Sequence, residues 1–74
     1  MTERLKNVFK QVFKLDEIAD NISQANCDKW DSMGHLNLIV EIEIEFDISF
    51  EPEEIAMMKD FKAVKELLKK KINL

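Results

Sequence analysis

Four kinds of residue in this chain could do chemistry: one serine placed behind an aspartate, one histidine, one cysteine and a run of carboxylates. Ser32 stands in Trp30-Asp31-Ser32-Met33-Gly34-His35-Leu36, where an apolar and acidic stretch, Leu36 to Phe46, begins. If that stretch is a helix, Ser32 lies in its first turn, where backbone N–H groups and the helix dipole favour a negative charge. A phosphate esterified to the hydroxyl is such a charge. His35 follows three residues later, about one turn on, close enough to be tested as a base toward Ser32. No acid is placed to orient it and no nucleophile elbow surrounds the serine, so a packing or surface role is expected for His35. Cys27 is the only thiol. Its loop setting, with Asp28 beside it, does not favour a reactive thiolate, and a passive cysteine is expected. The carboxylates fail as a calcium loop: counting from Asp28, Trp30 and Met33 fall where an oxygen ligand and a glycine are required. No Cys/His cluster has the spacing of a metal site, so neither a metal nor a catalytic residue is assigned.

The charge pattern sharpens the reading. Net charge is −4, yet between Trp30 and Met58 there are eight acids and no Lys or Arg, while the other seven acids meet all eleven bases. A one-signed face steers oppositely charged partners, so basic proteins are expected and nucleic acid is not. A solvated surface that aids solubility is the plainer alternative. At 74 residues and 46% hydrophobic, the chain is expected to fold as one domain spanning residues 1–74. No apolar run approaches the roughly 20 residues that span a bilayer, and no signal-peptide pattern opens the chain. A lone cysteine forms no internal disulfide. These features lead to the expectation of a cytoplasmic monomer.

Four helical segments must position these residues. Leu5, Val8, Phe9 and Val12 make one face of a first helix, which Thr2 could cap. Residues 16–29 read as a long loop with room for one helical turn, carrying Ile18 and Ile22. The sequon Asn21-Ile22-Ser23 lacks a secretion signal to support its use. From Val40 to Phe50 apolar and polar residues alternate as in a strand. No second strand is available to pair with it, and Leu38, Ile42 and Phe46 stack at i, i+4 and i+8 with Ile39 beside them. A helix from about Ser32 to Phe46 is therefore expected, with an extended exit through Ile48 and Phe50. Pro52, Glu53 and Glu54 open a short third helix with Ile55 and Met58 inward. Asp60 caps the last helix, whose inward set is Phe61, Val64, Leu68 and Ile72, and Lys69 to Lys71 suit its C-terminal end. Met57 and Met58 read as core filler, or as flexible lining for an acyl chain. The fold class is all-α: a bundle of three main helices and one short one.

The residues Asp31-Ser32-Met33, followed by Leu36-Asn37-Leu38-Ile39-Val40-Glu41 and Glu45-Phe46-Asp47, resemble the attachment site of acyl carrier proteins. The likeness extends to chain length, helix order and the Pro-Glu-Glu turn before the third helix. It implies that Ser32 carries a 4'-phosphopantetheine arm installed from coenzyme A by a magnesium-dependent phosphopantetheinyl transferase, and that Asp31, which most simply caps the helix, also helps that transferase recognise the site. It further implies an acyl group held as a thioester on the arm, and docking of acyl-loading and acyl-transferring enzymes through basic faces. Met33 replaces the leucine most common after the serine. Asn37 and Ile44 stand where many fatty-acid-synthesis carriers have acids, which together with Trp30 points to a specialised pathway. The expected docking residues are Met33, Leu36, Asn37, Val40, Glu41, Glu43, Ile44 and Asp47. Among them Leu36, Val40 and Ile44 form a second apolar line that starts from Ser32 at i−4. The alternatives are an aminoacyl or D-alanyl carrier, and a non-carrying helical interaction module in which Ser32 is only a cap.

Overall fold

The computed structural model describes residues 1–72 and contains four helices: α1 (Thr2–Phe13), α2 (Ser32–Phe46), α3 (Pro52–Met57) and α4 (Phe61–Ile72). The all-α expectation holds, and the alternating 40–50 stretch divides as expected. Its first seven residues belong to α2, while Ile48 and Phe50 lie on an irregular exit. Burial explains the outcome. On α2, Leu38, Ile39 and Ile42 are buried at helical spacing, whereas strand spacing would have required Val40 and Ile44 to be buried as well.

The core joins Leu5, Val8, Phe9 and Phe13 of α1 to that face of α2, to Phe61, Val64 and Leu68 of α4, and to Met58. Its centre is aromatic. Phe9 meets Phe13, Trp30 and Phe61 edge-on with ring centroids 5.9, 5.3 and 5.1 Å apart, a geometry that sets positive ring edges against negative faces. Trp30 is 1% exposed, so the residue two before Ser32 is a core anchor.

With one glycine in the chain, two helices end without one. Lys14 and Asp47 both take the left-handed conformation at φ near 55°, and the next N–H reaches back to a helical carbonyl: Leu15 to Lys10 at 3.1 Å and Ile48 to Glu43 at 3.1 Å. The long 14–31 connection is held by i→i+3 turns and contains no helical turn, contrary to the room allowed for one. Ile18 and Ile22 tuck into the core. Gln24 N–H donates to Lys59 O and Phe61 N–H to Ile22 O, which staples the connection to the junction of α3 and α4.

Three expectations of detail fail. Thr2 does not cap α1. The helix begins at Thr2 itself with Met1 at the cap position and no side-chain acceptor, and the Met1 carbonyl takes the Leu5 N–H. Ile72 is not inward: it is 42% exposed, one turn past Leu68, where α4 has run beyond the bundle. Met57 is not core filler but 64% exposed: α3 is six residues long and buries none of them fully. Met58, just past the helix end, fills that role with no exposure.

Candidate functional site

Asp31, the N-cap of α2, takes extended backbone angles, and its carboxylate accepts the Gly34 N–H at 2.8 Å. That bond satisfies one of the donors that a helix start leaves unpaired. Ser32 is thereby fixed as the first residue of α2, exposed, with no acidic side chain in the helix's first turn. One carboxylate oxygen of Asp31 is thus committed to the backbone.

Gly34 explains how the site is seated. A Cβ built on it would stand 2.1 Å from the Lys29 carbonyl oxygen and 3.2 Å from Phe13 Cε1. Only a residue without a side chain lets the first turn of α2 lie against the backbone that leads into Trp30. The signal available in the sequence was that the sole glycine sits inside a helix, where it costs about 1 kcal/mol relative to alanine.

His35 is occupied on both nitrogens. Trp30 Nε1 lies 2.9 Å from Nδ1, and Nε2 lies 2.9 Å from the Ile55 carbonyl oxygen. An indole N–H only donates and a carbonyl only accepts. The ring is therefore neutral with its proton on Nε2, accepting at Nδ1 and donating at Nε2. Both lone-pair and proton positions are used, so His35 is no base for Ser32 and no partner for Cys27. The packing role expected of it is what the geometry gives, with the added and unforeseen function of tying α2 to α3. Cys27 is half-buried in the wall of a groove of about 490 Å³ lined by residues of the 15–29 segment.

Along α2 two apolar faces separate. Leu38 and Ile42 are fully buried, while Leu36, Val40 and Ile44 are 59%, 49% and 69% exposed. Met33 and Met57 are exposed as well. Asn37, Glu41 and Asp47 face solvent. Glu43 differs from its neighbours. It is half-buried, and its carboxylate accepts the Phe50 N–H at 2.9 Å, which holds the exit from α2 against the bundle. Glu45 pairs with Arg4 at 3.0 Å, and Arg4 also lies over the Phe46 ring at 4.6 Å. The acidic face is thus partly committed within the molecule, and Glu41 and Asp47 are its outward members.

The α3 end of the site is held by charge. Glu54 accepts the Glu51 N–H at 2.7 Å and pairs with Lys71 at 2.8 Å. The Glu51 N–H first, and Lys71 second, hold the Glu54 carboxyl below the usual carboxylate range. Lys71 therefore does more than suit the end of α4. Asp60 caps α4 as expected, its carboxylate accepting the Ala63 N–H at 2.7 Å.

Among the described residues no group of three or more His, Cys, Asp or Glu is arranged to hold a metal ion, and no helix is long and apolar enough to cross a membrane.

No family model matches the chain, and no curated protein matches it. Among solved structures, the chain is similar to a holo acyl carrier protein from Geobacter metallireducens determined by solution NMR. The TM-score is 0.86 at 34% sequence identity, over 96% of this chain and 84% of that one. An identity of this size over nearly the whole of both chains, together with a capped, exposed serine opening the second helix, establishes the relationship: the chain belongs to the acyl carrier protein family.

Proposed function

We propose that Ser32 is the attachment point of a 4'-phosphopantetheine arm and that the chain delivers acyl groups to partner enzymes. Membership of the acyl carrier protein family makes it a carrier and not an enzyme. The observation that carries the attachment site is the placement of Ser32. Its hydroxyl is exposed at the first position of a capped helix, and the two nearby groups that could act on it, Asp31 and His35, are bonded elsewhere.

The residues present fit such a group. A phosphodiester at Ser32 would sit at the positive end of α2, where its charge is favoured by about 0.3–1 kcal/mol. No acidic side chain lies in the first turn of α2 to oppose it. When attached, the arm supplies a terminal thiol that holds an acyl group as a thioester. The chain's own residues do the rest. Asp31 fixes the helix start, Gly34 lets that start pack against the Lys29 backbone, and Trp30 anchors it to the aromatic core. With Asp31 and His35 bonded elsewhere, the Ser32 proton passes, on this reading, to the phosphopantetheinyl transferase.

Partner enzymes dock, on this reading, on the exposed side of α2: Met33, Leu36, Asn37, Val40, Glu41, Ile44 and Asp47. Apolar residues there supply contact area and the outward acids supply steering toward basic faces. Glu43 contributes field to this face while its carboxylate holds Phe50. The cargo belongs to a biosynthetic pathway that makes or transfers acyl chains.

The test is loading in vitro. Wild-type protein incubated with coenzyme A, magnesium and a broad-specificity phosphopantetheinyl transferase is expected to gain one phosphopantetheine group. Ser32→Ala is expected to gain none while keeping its helical circular dichroism. Wild-type protein left unmodified by several transferases would defeat the proposal.

A further inference from the structure

We propose that His35 is a pH-sensitive latch that joins three parts of the molecule: the Ser32 end of α2, the buried Trp30, and the C-terminal end of α3. The latch is a property of the apo chain and stands whether or not Ser32 is modified.

The geometry admits one protonation state. Trp30 Nε1–H points at Nδ1 and the Ile55 carbonyl oxygen receives the Nε2 proton, both at 2.9 Å. The two ring planes are close to parallel, 23° apart. A second proton has only Nδ1 to occupy. There it would set one N–H against another and take away the acceptor of an indole that is 1% exposed. A buried donor left without a partner is destabilising, so the imidazolium form cannot keep this arrangement. Trp30 is clamped between Phe9 and Phe13 and has little room to retreat. The yielding side is His35 and, through its other nitrogen, the end of α3. Ile55 is half-buried and Met57 exposed, so this end of α3 is lightly held apart from Met58 and the Glu54–Lys71 pair.

The charged groups around the ring do not offset this. On the segment carrying Trp30 they are Asp28, Lys29 and Asp31, on α3 they are Glu51, Glu53 and Glu54, and on α2 the nearest in sequence beyond the first turn is Glu41. Asp31 is bonded to Gly34, and Glu54 to Glu51 and Lys71. Among the described residues, none of these carboxylates forms an ion pair with His35 that would reward a positive ring. The latch is therefore closed when the ring is neutral and opens as acid protonates it. A partner that reads the Ser32 end of α2 together with α3 meets a different surface in the two states.

His35 is the only histidine and Trp30 the only tryptophan, so NMR reports on each without overlap. In uniformly 15N-labelled apo protein, the Trp30 indole N–H cross-peak and the Ile55 to Met58 amides are followed from about pH 8 to pH 5, the range in which only histidine titrates among unperturbed side chains. The indole peak is expected to shift or broaden to loss with the same midpoint as the His35 ring protons. Amide exchange at Ile55 to Met58, once the intrinsic slowing of exchange on acidification is divided out, is expected to quicken as the ring is protonated. His35→Gln, which keeps one acceptor and one donor but cannot be protonated in this range, is expected to abolish the titration. An indole peak and α3 amides that stay fixed while the His35 ring titrates would overturn the proposal. So would a ring that stays neutral down to pH 5, or the same titration in H35Q. Should H35Q fold poorly, the wild-type titration decides alone.

Discussion

Gly34→Ala puts the seating of the attachment helix to a quantitative test. Helix propensity by itself predicts that this change stabilises, because alanine is favoured over glycine inside a helix by about 1 kcal/mol. The local geometry predicts the opposite. The new methyl would stand 2.1 Å from the Lys29 carbonyl oxygen, where ordinary contacts begin at 3.4 Å, and 3.2 Å from Phe13 Cε1. The α2 start or the Lys29 backbone must therefore withdraw by roughly 1.3 Å. Neither does so freely. Lys29 leads directly into Trp30, which is locked among Phe9 and Phe13, and α2 is committed through Leu38, Ile39 and Ile42. Overpacking of this kind costs about 1–3 kcal/mol and occasionally more. Against backbone on one flank and an aromatic ring on the other, the cost falls at the upper end. After the propensity gain, the expected net loss is about 1–2 kcal/mol, equivalent to a fall in Tm of about 4–16 °C for a domain this small. Thermal unfolding followed by far-UV circular dichroism gives the magnitude. Fluorescence of the single tryptophan shows that the displacement reaches Trp30. A Tm equal to or above that of the wild type would mean that Gly34 is an ordinary helical glycine and that the close approach to Lys29 is not needed.

Three further outcomes follow from the same geometry. Val40→Glu is expected to leave Tm within a few degrees of wild type but to slow transfer by a partner enzyme, whereas Ile42→Glu is expected to unfold or strongly destabilise the chain, since it places an unpaired charge in the core; equal destabilisation would make the Val40 face core. Glu41→Lys is expected to slow association with a partner enzyme more than it speeds dissociation, and that association is expected to weaken as ionic strength rises past about 0.1 M; an affinity that is flat with salt would contradict steering by the acidic face. Glu54, whose carboxyl titrates lower in the folded protein than its ordinary value, contributes stability that is present above the usual carboxylate range and lost as pH falls through the lowered value; the Tm difference between wild type and Glu54→Gln should therefore shrink on acidification from neutral to about pH 3, and a difference constant with pH would show that the Glu51 N–H and Lys71 do not favour the ionised carboxylate.

The helices were legible in the chain because periodicity and caps agree. Asp31 and Asp60 announce α2 and α4, Pro52 announces α3, and the buried stripe of α1 follows Leu5, Val8 and Phe9. Even α2, whose residues alternate like a strand, was readable once pairing was considered. Features that depend on where one element ends relative to another were not. Nothing in the local pattern says that α4 overruns the bundle at Ile72, that Met58 and not Met57 turns inward, or that a cap is absent at Thr2. The site shows the same division. The placement of Ser32 follows from its own helix, so the sequence sufficed. The roles of His35, Glu43 and Lys71 come from residues 5 to 20 positions away, and no spacing rule within one element reveals them. Gly34 was visible as a glycine inside a helix, but its reason lies in the approach of the Lys29 backbone. Trp30 was legible only as part of a motif, while in the fold it is the anchor between that motif and the core.

The central claim is that Ser32 bears the arm on which cargo travels. Its most direct test is mass spectrometry of the protein purified from its own host, with the intact mass followed by peptide mapping. The account predicts a population carrying one phosphopantetheine, some of it acylated on the terminal thiol, and a modified peptide in which the group maps to Ser32. A protein that is wholly unmodified in its host, or one modified at Ser23 or Ser49 instead, would contradict it.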